Sequence, residues 1–221
     1  MPGEATLVNE SAETMSAEAR LRMVGHFAAV IAHDMNNELT LILNHLEHPD
    51  ISLMRISVRR CARLASNLLS FCKGDSLSLE RIELPIYLAN LAPSLPAPGV
   101  RIHIDFEDAL PDILAERFAL RRVLTNLISN ASDAMRGHGR IFIYATPGAI
   151  EVRDSGPGIP PEDLERVFEP FYTTKPSGAG LGLAIVRDLM RLQKGSVSVR
   201  SELGKGTVFT LRFPTVPAQA P

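Results

Sequence analysis

The 221-residue sequence has no tryptophan, three tyrosines and two cysteines. Two cysteines cannot make the framework that staples a small secreted domain. Cys61 and Cys72 fall on one expected helix, eleven residues and about three turns apart, too far for a bridge within it. They read as small buried apolar residues, the common role of a free cysteine. No apolar run approaches the roughly 18 residues of a membrane span, and the amino-terminal segment lacks the charged and apolar regions of a signal peptide. The expectation is a cytoplasmic protein with no membrane span. Neither sign of charge dominates, with 23 Lys and Arg against 25 Asp and Glu and a net charge of -2. That balance argues against a nucleic-acid surface spread over the whole molecule. Internal repeats are also lacking. What remains is an ordinary globular composition with room for one large or two modest domains.

The amino-terminal third reads as helices. Residues 1–15 are small, polar and aperiodic, a flexible lead-in. A first helix is expected from Ser16 to about His48, with Val24, Ala28, Ile31, Met35, Leu39, Ile42 and Leu46 at alternating steps of four and three, the seam of a bundle. Pro49 and Asp50 break it. Ser52 to Cys72 forms a second helix with Met54, Val58, Cys61, Ala65, Leu68 and Cys72 on its seam. So short a connection makes an antiparallel hairpin, which buries little alone and is expected to dimerise into a four-helix bundle. The off-seam Arg55, Arg59, Arg60 and Arg63 read as a solvated face, with a landing strip for an acidic domain as the sharper alternative.

His33 lies roughly 200° of helical turn from Ile31, so the imidazole faces away from the seam. Asp34 can accept a hydrogen bond from one ring nitrogen, fixing the tautomer and leaving the other lone pair free to attack an electrophile. Asn37 sits one turn on, on the same face. His26, His45 and His48 lack that acidic neighbour and read as solvated helix residues.

Residues 74–79 form a polar hinge, and the pattern changes beyond it. A short helix over Ile86–Leu95, a strand over Val100–Phe106, a long helix over Glu116–Met135, strands at Arg140–Thr146 and Ala149–Arg153, a loop from Glu169 to Ala179, a helix over Gly180–Gln193 and strands at Ser196–Ser201 and Thr207–Phe213 predict an α+β domain. Its helices should cover one face of a mixed sheet over residues 80–214, with 215–221 as a frayed tail.

Three stretches of this domain carry chemistry. Asn126, Asn130 and Asp133 in NLISNASDA are spaced by four and three and project from one helix face. Mg²⁺ prefers oxygen ligands, and an amide oxygen supplies one without adding negative charge beside phosphates; Asn130, central on the face, is the chosen ligand. Asp154 in DSGPG leaves a strand where a carboxylate can accept a hydrogen bond from an adenine amino group. Gly178, Gly180, Leu181 and Gly182 in GAGLGLAIV open a helix whose free amides suit a phosphate chain, and Lys175 on the preceding loop can reach the terminal phosphate. Phe168 and Phe171 in FEPF read as apolar anchors for that loop.

In this order the motifs resemble those of a two-component sensor histidine kinase core. HDMNNEL resembles the phosphoacceptor box in its H-D-x-x-N form, NLISNASDA the N box, DSGPGI and GAGLGLAIV the two glycine boxes, FEPFYTTK the phenylalanine box, and GKGTVFTLRFP the closing strand pair. The resemblance covers residues 18 to 214. It implies a dimerisation and histidine-phosphotransfer bundle over residues 16–73, then a Bergerat-type α/β sandwich ATPase domain of the GHKL group. It further implies ATP and Mg²⁺, autophosphorylation of His33 with Asp34 as hydrogen-bonding partner or general base, and transfer to an aspartate of a response-regulator receiver domain. Asn37 matches a position that often orients water for dephosphorylation. Asn126 would lie close to the phosphates and Asp133 matches the N-box aspartate; Gly156 and Gly158 would shape the adenine pocket and Thr207 assist it through water. The resemblance also leaves room for a separate sensor protein as partner. Glu38 departs from the proline many relatives carry, which implies a straighter helix beyond the acceptor. Two other readings stay open: a phosphotransfer adaptor that binds no nucleotide, and a GHKL serine kinase, which has no need of His33.

Overall fold

Leucine, isoleucine and valine recur with period two in some stretches and period 3.6 in others, and the fold sorts them into a sheet and the helices that cover it. The computed structural model describes residues 78–175 and 180–215, together with 32, 35–46, 50–54, 57–58, 61 and 65. Two units divide the chain, one over Ala12–Asp75 and one built on Ser76–Pro221.

In the first unit, residues 35–46 are helical, and helix resumes at residue 51. Asp50 starts the second helix by accepting hydrogen bonds at Oδ1 from the backbone N–H groups of Ser52 (3.0 Å) and Leu53 (3.1 Å), the role of an N-cap carboxylate. The Cys61 thiol points back at the Met35 carbonyl, 3.8 Å away, so the two helices pack on each other. Ser57 is buried and Val58 is 54% exposed, which moves the inner seam to Met54, Ser57, Cys61 and Ala65. A step of three followed by fours keeps the small residues between the helices and turns Val58 outward. Leu39, Leu43, Leu46 and Ile51 are exposed as well.

Among its described residues the second unit contains seven strands: β1 (Glu80–Ile82), β2 (Val100–Phe106), β3 (Ile113–Ala115), β4 (Gly139–Thr146), β5 (Ala149–Asp154), β6 (Ser196–Glu202) and β7 (Gly206–Arg212). Five of them form a sheet in the order β2-β4-β5-β7-β6, with β2 and β4 parallel and the remaining pairs antiparallel. Strands β1 and β3 make a separate antiparallel pair that the sequence pattern did not suggest; three-residue strands are too short to show a period.

Helices α1 (Leu84–Leu91), α2 (Arg117–Ala134) and α3 (Gly182–Leu192) pack against this sheet, α1 by β2, α2 across β4 and β5, and α3 beside β6 and α2. The core lies between the layers, where Ile141, Ile143, Ile150, Val152, Phe209 and Leu211 meet Leu120, Leu124, Leu127, Ile128, Ile185 and Val186. The alternation that buries Ile150 and Val152 brings Asp154 to the same helix-facing side. On the outer face, His103 stacks on Phe142 with ring centroids 5.1 Å apart.

Helix α2 begins at Glu116, whose carboxylate accepts from the N–H groups of Phe118 (2.9 Å) and Ala119 (2.6 Å). Gln193 fastens this start to the end of α3: its Oε1 accepts from Glu116 N (2.9 Å) and its Nε2 donates to the Leu189 carbonyl (3.1 Å), in a fully buried position. Gln193→Ala strands the Glu116 amide, and should cost about 1–3 kcal/mol of stability in urea denaturation. A loss under about 0.5 kcal/mol would mean that water reaches that amide.

Candidate nucleotide site

Asp154 ends β5 and is 7% exposed. Its Oδ1 accepts two backbone N–H groups, Gly156 at 2.8 Å and Thr207 at 3.3 Å, while Oδ2 takes no hydrogen bond among the described residues. Burial pushes its carboxyl above the ordinary value, and the two amides pull the other way without cancelling it. The arrangement holds the carboxylate still and leaves one oxygen as an acceptor.

Thr207 lies directly opposite Asp154 on β7. Its hydroxyl is 3.1 Å from that of Ser201, the facing residue of β6. Ser201 Oγ also donates to the Gly206 carbonyl and accepts from the Ile159 amide, each at 2.8 Å, so one hydroxyl ties the DSGPGI turn to the β6–β7 hairpin. Sequence reading passed over Ser201; the register of that hairpin was the signal that could have found it. Gly206 adopts φ +103, and a Cβ there would collide with the Asp154 backbone carbonyl, so only glycine lets β7 approach the turn. Met135, 7% exposed, is a second residue that sequence reasoning missed. A Cβ at Gly156 would stand 3.3 Å from Met135 Cγ, and Met135 Sδ accepts from Ser155 Oγ at 3.5 Å. It forms an apolar wall beside the Asp154 turn.

The second half of the site is the polar face of α2. A Cβ built on Gly182, the first residue of α3, would lie 3.4 Å from Asn130 Nδ2, 3.7 Å from Asn130 Oδ1 and 3.8 Å from Asn126 Oδ1. The glycine thus brings the open N-terminus of α3 against both asparagines, where a helix presents unbonded N–H groups. Asn126 Nδ2 is buried without a partner among the described residues, a donor in need of an acceptor. Asp133, exposed one turn further along, forms an ion pair with Lys175, Nζ to Oδ2 3.1 Å. The Lys175 amide in turn donates to Thr173 Oγ1 at 3.1 Å.

The loop before α3 is pinched at its base. Phe171 N donates to the Gly180 carbonyl at 2.9 Å. Gly180 has φ +63 with the Phe171 backbone filling the space a Cβ would need. Phe168 packs edge-on against Phe209 at 6.3 Å, the anchoring expected of it. Leu181 is buried, so its side chain belongs to the core. Gly156 and Gly158 form the turn after Asp154. Asn37 is on the helix of the first unit and exposed. His33, Asp34 and Gly178 lie outside the described residues.

The donor set is suited to a Mg²⁺-bound nucleoside triphosphate. A buried carboxylate oxygen stands available for a base amino group, neutral amide oxygens for a hard cation, and a helix start with a lysine for phosphates. No group of three or more His, Cys, Asp or Glu able to hold a metal occurs among the described residues. An asparagine-based Mg²⁺ site needs none.

Known proteins resemble this chain in sequence and fold. Residues 115–217 match the family of histidine kinase-, DNA gyrase B-, and HSP90-like ATPases. The chain is 31% identical to the sensor histidine kinase ZraS of Escherichia coli (strain K12), over 91% of this chain and 48% of ZraS. It is 33% identical to the sensor kinase CckA of Brucella abortus (strain 2308), over 90% of this chain and 25% of CckA. Among solved structures it resembles full-length ShkA in complex with AMPPNP, with a TM-score of 0.67, 26% identity and coverage of 94% of this chain and 48% of that one. The chain spans about half the length of ZraS. In motif order, fold and sequence the chain is similar to two-component sensor histidine kinases, and its carboxyl-terminal part matches the GHKL-type ATPase family.

Proposed function

We propose that this chain is an ATP-dependent protein-histidine kinase that phosphorylates itself on His33 and passes the phosphoryl group to an aspartate of a response-regulator receiver domain. The observation that carries the reading is the pairing of a buried Asp154, one oxygen unbonded, with an α2 face whose asparagines abut the start of α3. The nucleotide-bound state of the related ShkA supports ATP as the ligand.

In this reading Asp154 accepts the adenine amino group, Thr207 assists through water, and Met135, Gly156 and Gly158 wall the pocket. Asn130 holds Mg²⁺, Asn126 donates its unpartnered Nδ2 toward the phosphates, and Lys175 and the amides of Gly178, Gly180, Leu181 and Gly182 take the phosphate end. Bound Mg²⁺ would supply charge neutralisation at the phosphates. One imidazole nitrogen of His33 attacks the terminal phosphorus, a nitrogen–phosphorus bond forms, and the bond to the ADP oxygen breaks. Asp34 orients the ring and holds the imidazolium until its proton leaves. A receiver carboxylate then attacks the phosphohistidine and releases His33. Asn37, one turn along, would orient water for the reverse task of dephosphorylation.

The exposed Leu39, Leu43, Leu46 and Val58 support a homodimer through the hairpin, since a second copy would cover them. No helix among the described residues is long and apolar enough to cross a membrane.

The test is incubation with γ-labelled ATP and Mg²⁺, mass-spectrometric mapping, and a chase with a panel of receiver domains. Acid-labile phosphate on His33 that moves to a receiver is the expected result. Label on a serine would support the serine-kinase reading instead, and failure to bind nucleotide the adaptor.

A further inference from the structure

We propose that Asp133 acts in nucleotide binding only through Lys175, as the residue that positions its ammonium group, and makes no contact with the nucleotide itself. The inference rests on the ATP-binding reading above. Lys175 comes from the loop after FEPFY and Asp133 from α2, 42 residues earlier, yet Nζ and Oδ2 stand 3.1 Å apart. The lysine is fastened at both ends: its amide donates to Thr173 Oγ1 at 3.1 Å, which fixes the backbone from which the side chain leaves. Asp133 follows Asn130 by three residues, so the ion pair stands on the same side of α2 as the asparagines that abut Gly182.

Charge decides the role of the carboxylate. An unpaired Asp133 beside a triphosphate would repel it, and a carboxylate has no proton to donate to phosphate oxygens. Paired with Lys175 it adds no net charge, and an ammonium group has three donors, of which Asp133 takes one. The other two remain for phosphate oxygens. A lysine is a point charge on a long flexible stem, and the aspartate confines that charge to the helix face where phosphates would lie. Both side chains are partly exposed, 37% for Lys175 and 50% for Asp133, so substitutions at either position leave the core intact.

The experiment measures MgATP and MgADP binding to the full chain by calorimetry for the parent, D133N, K175M, K175D, the D133N/K175M pair and the D133K/K175D exchange. K175M should weaken MgATP about tenfold and MgADP much less, as expected of a charge at the terminal phosphate. D133N should weaken MgATP about threefold in the parent and should cause no further loss in the K175M background, where removing the unpaired carboxylate can only relieve repulsion, the signature of a residue acting through its partner. K175D should be the weakest, and the exchange should recover to within about threefold of the parent. An equal D133N effect with and without Lys175, or tighter binding by D133N, would overturn the proposal. So would a D133N-dependent change in Mg²⁺ requirement in the K175M background, which would make Asp133 a metal residue. A parent that binds no nucleotide overturns the ATP-binding reading as well, whereas a parent that binds ATP with additive variants overturns this inference alone.

Discussion

Asp154→Asn is expected to lower ATP affinity about 100-fold, a loss of roughly 2.7 kcal/mol, while leaving the nucleotide-free domain at least as stable at neutral pH. The two effects have one source. The substituted side chain would keep a carbonyl oxygen for the Gly156 and Thr207 amides, so the local hydrogen bonds survive. In place of the unbonded carboxylate oxygen it would present an N–H group, which meets the adenine amino group donor to donor. A hydrogen bond to a charged group contributes about 1.5–3 kcal/mol, which sets the size of the loss.

Stability runs the other way. Burial is the largest influence on Asp154 and raises its carboxyl above the unfolded value. A group raised on folding gives its full contribution below its unfolded pKa and loses it as pH climbs through the folded one. From the ordinary carboxylate range upward, the parent therefore carries the cost of a buried charge that the amide does not. Urea denaturation from pH 4 to 8 should show the parent losing ground to Asp154→Asn with rising pH. ATP binding within threefold of the parent would remove Asp154 from the adenine site, and a variant less stable throughout would mean that the two amides need a full negative charge.

How far the sequence could be read depended on the range of the interaction. The carbon skeleton of the domain was open to inspection because period two and period 3.6 differ sharply in Ile141–Ala145 and in Leu120–Ile128, where burial follows the pattern residue by residue. Asp154 stood out because it leaves a strand directly into glycines, although alone that string reads as a surface turn and only the order of the motifs around it gave the carboxylate a role. Long-range pairings were closed to it. Nothing local to Glu80–Ile82 announces its partner Ile113–Ala115, and Ser201 gains its importance only when the β6–β7 register sets it opposite Thr207. The same holds for Lys175, whose partner is 42 residues away on another element. On the hairpin, strict four-three spacing selected Val58 for the seam; the fold buries Ser57, because the closest approach of two helices favours the smaller side chain.

The asparagines of α2 give the other large effect, and they should separate cleanly. Asn130→Ala is expected to lower autophosphorylation at saturating ATP by about 10³-fold, a barrier increase of roughly 4 kcal/mol, the scale of charge stabilisation by a metal. ATP affinity without Mg²⁺ should change little, since in the proposed arrangement Asn130 meets the cation and not the base. Asn126→Ala differs in kind. Asn126 Nδ2 is buried with no partner among the described residues, so its removal relieves a cost of about 1–3 kcal/mol, offset in part by lost packing. Thermal melts should thus show Asn126→Ala as stable as the parent or more so, yet poorer at binding ATP. A donor kept unpaired at the expense of stability makes sense only where an acceptor arrives from outside. If both variants instead lose stability and retain MgATP, the polar face of α2 is a packing surface and the phosphates must bind elsewhere.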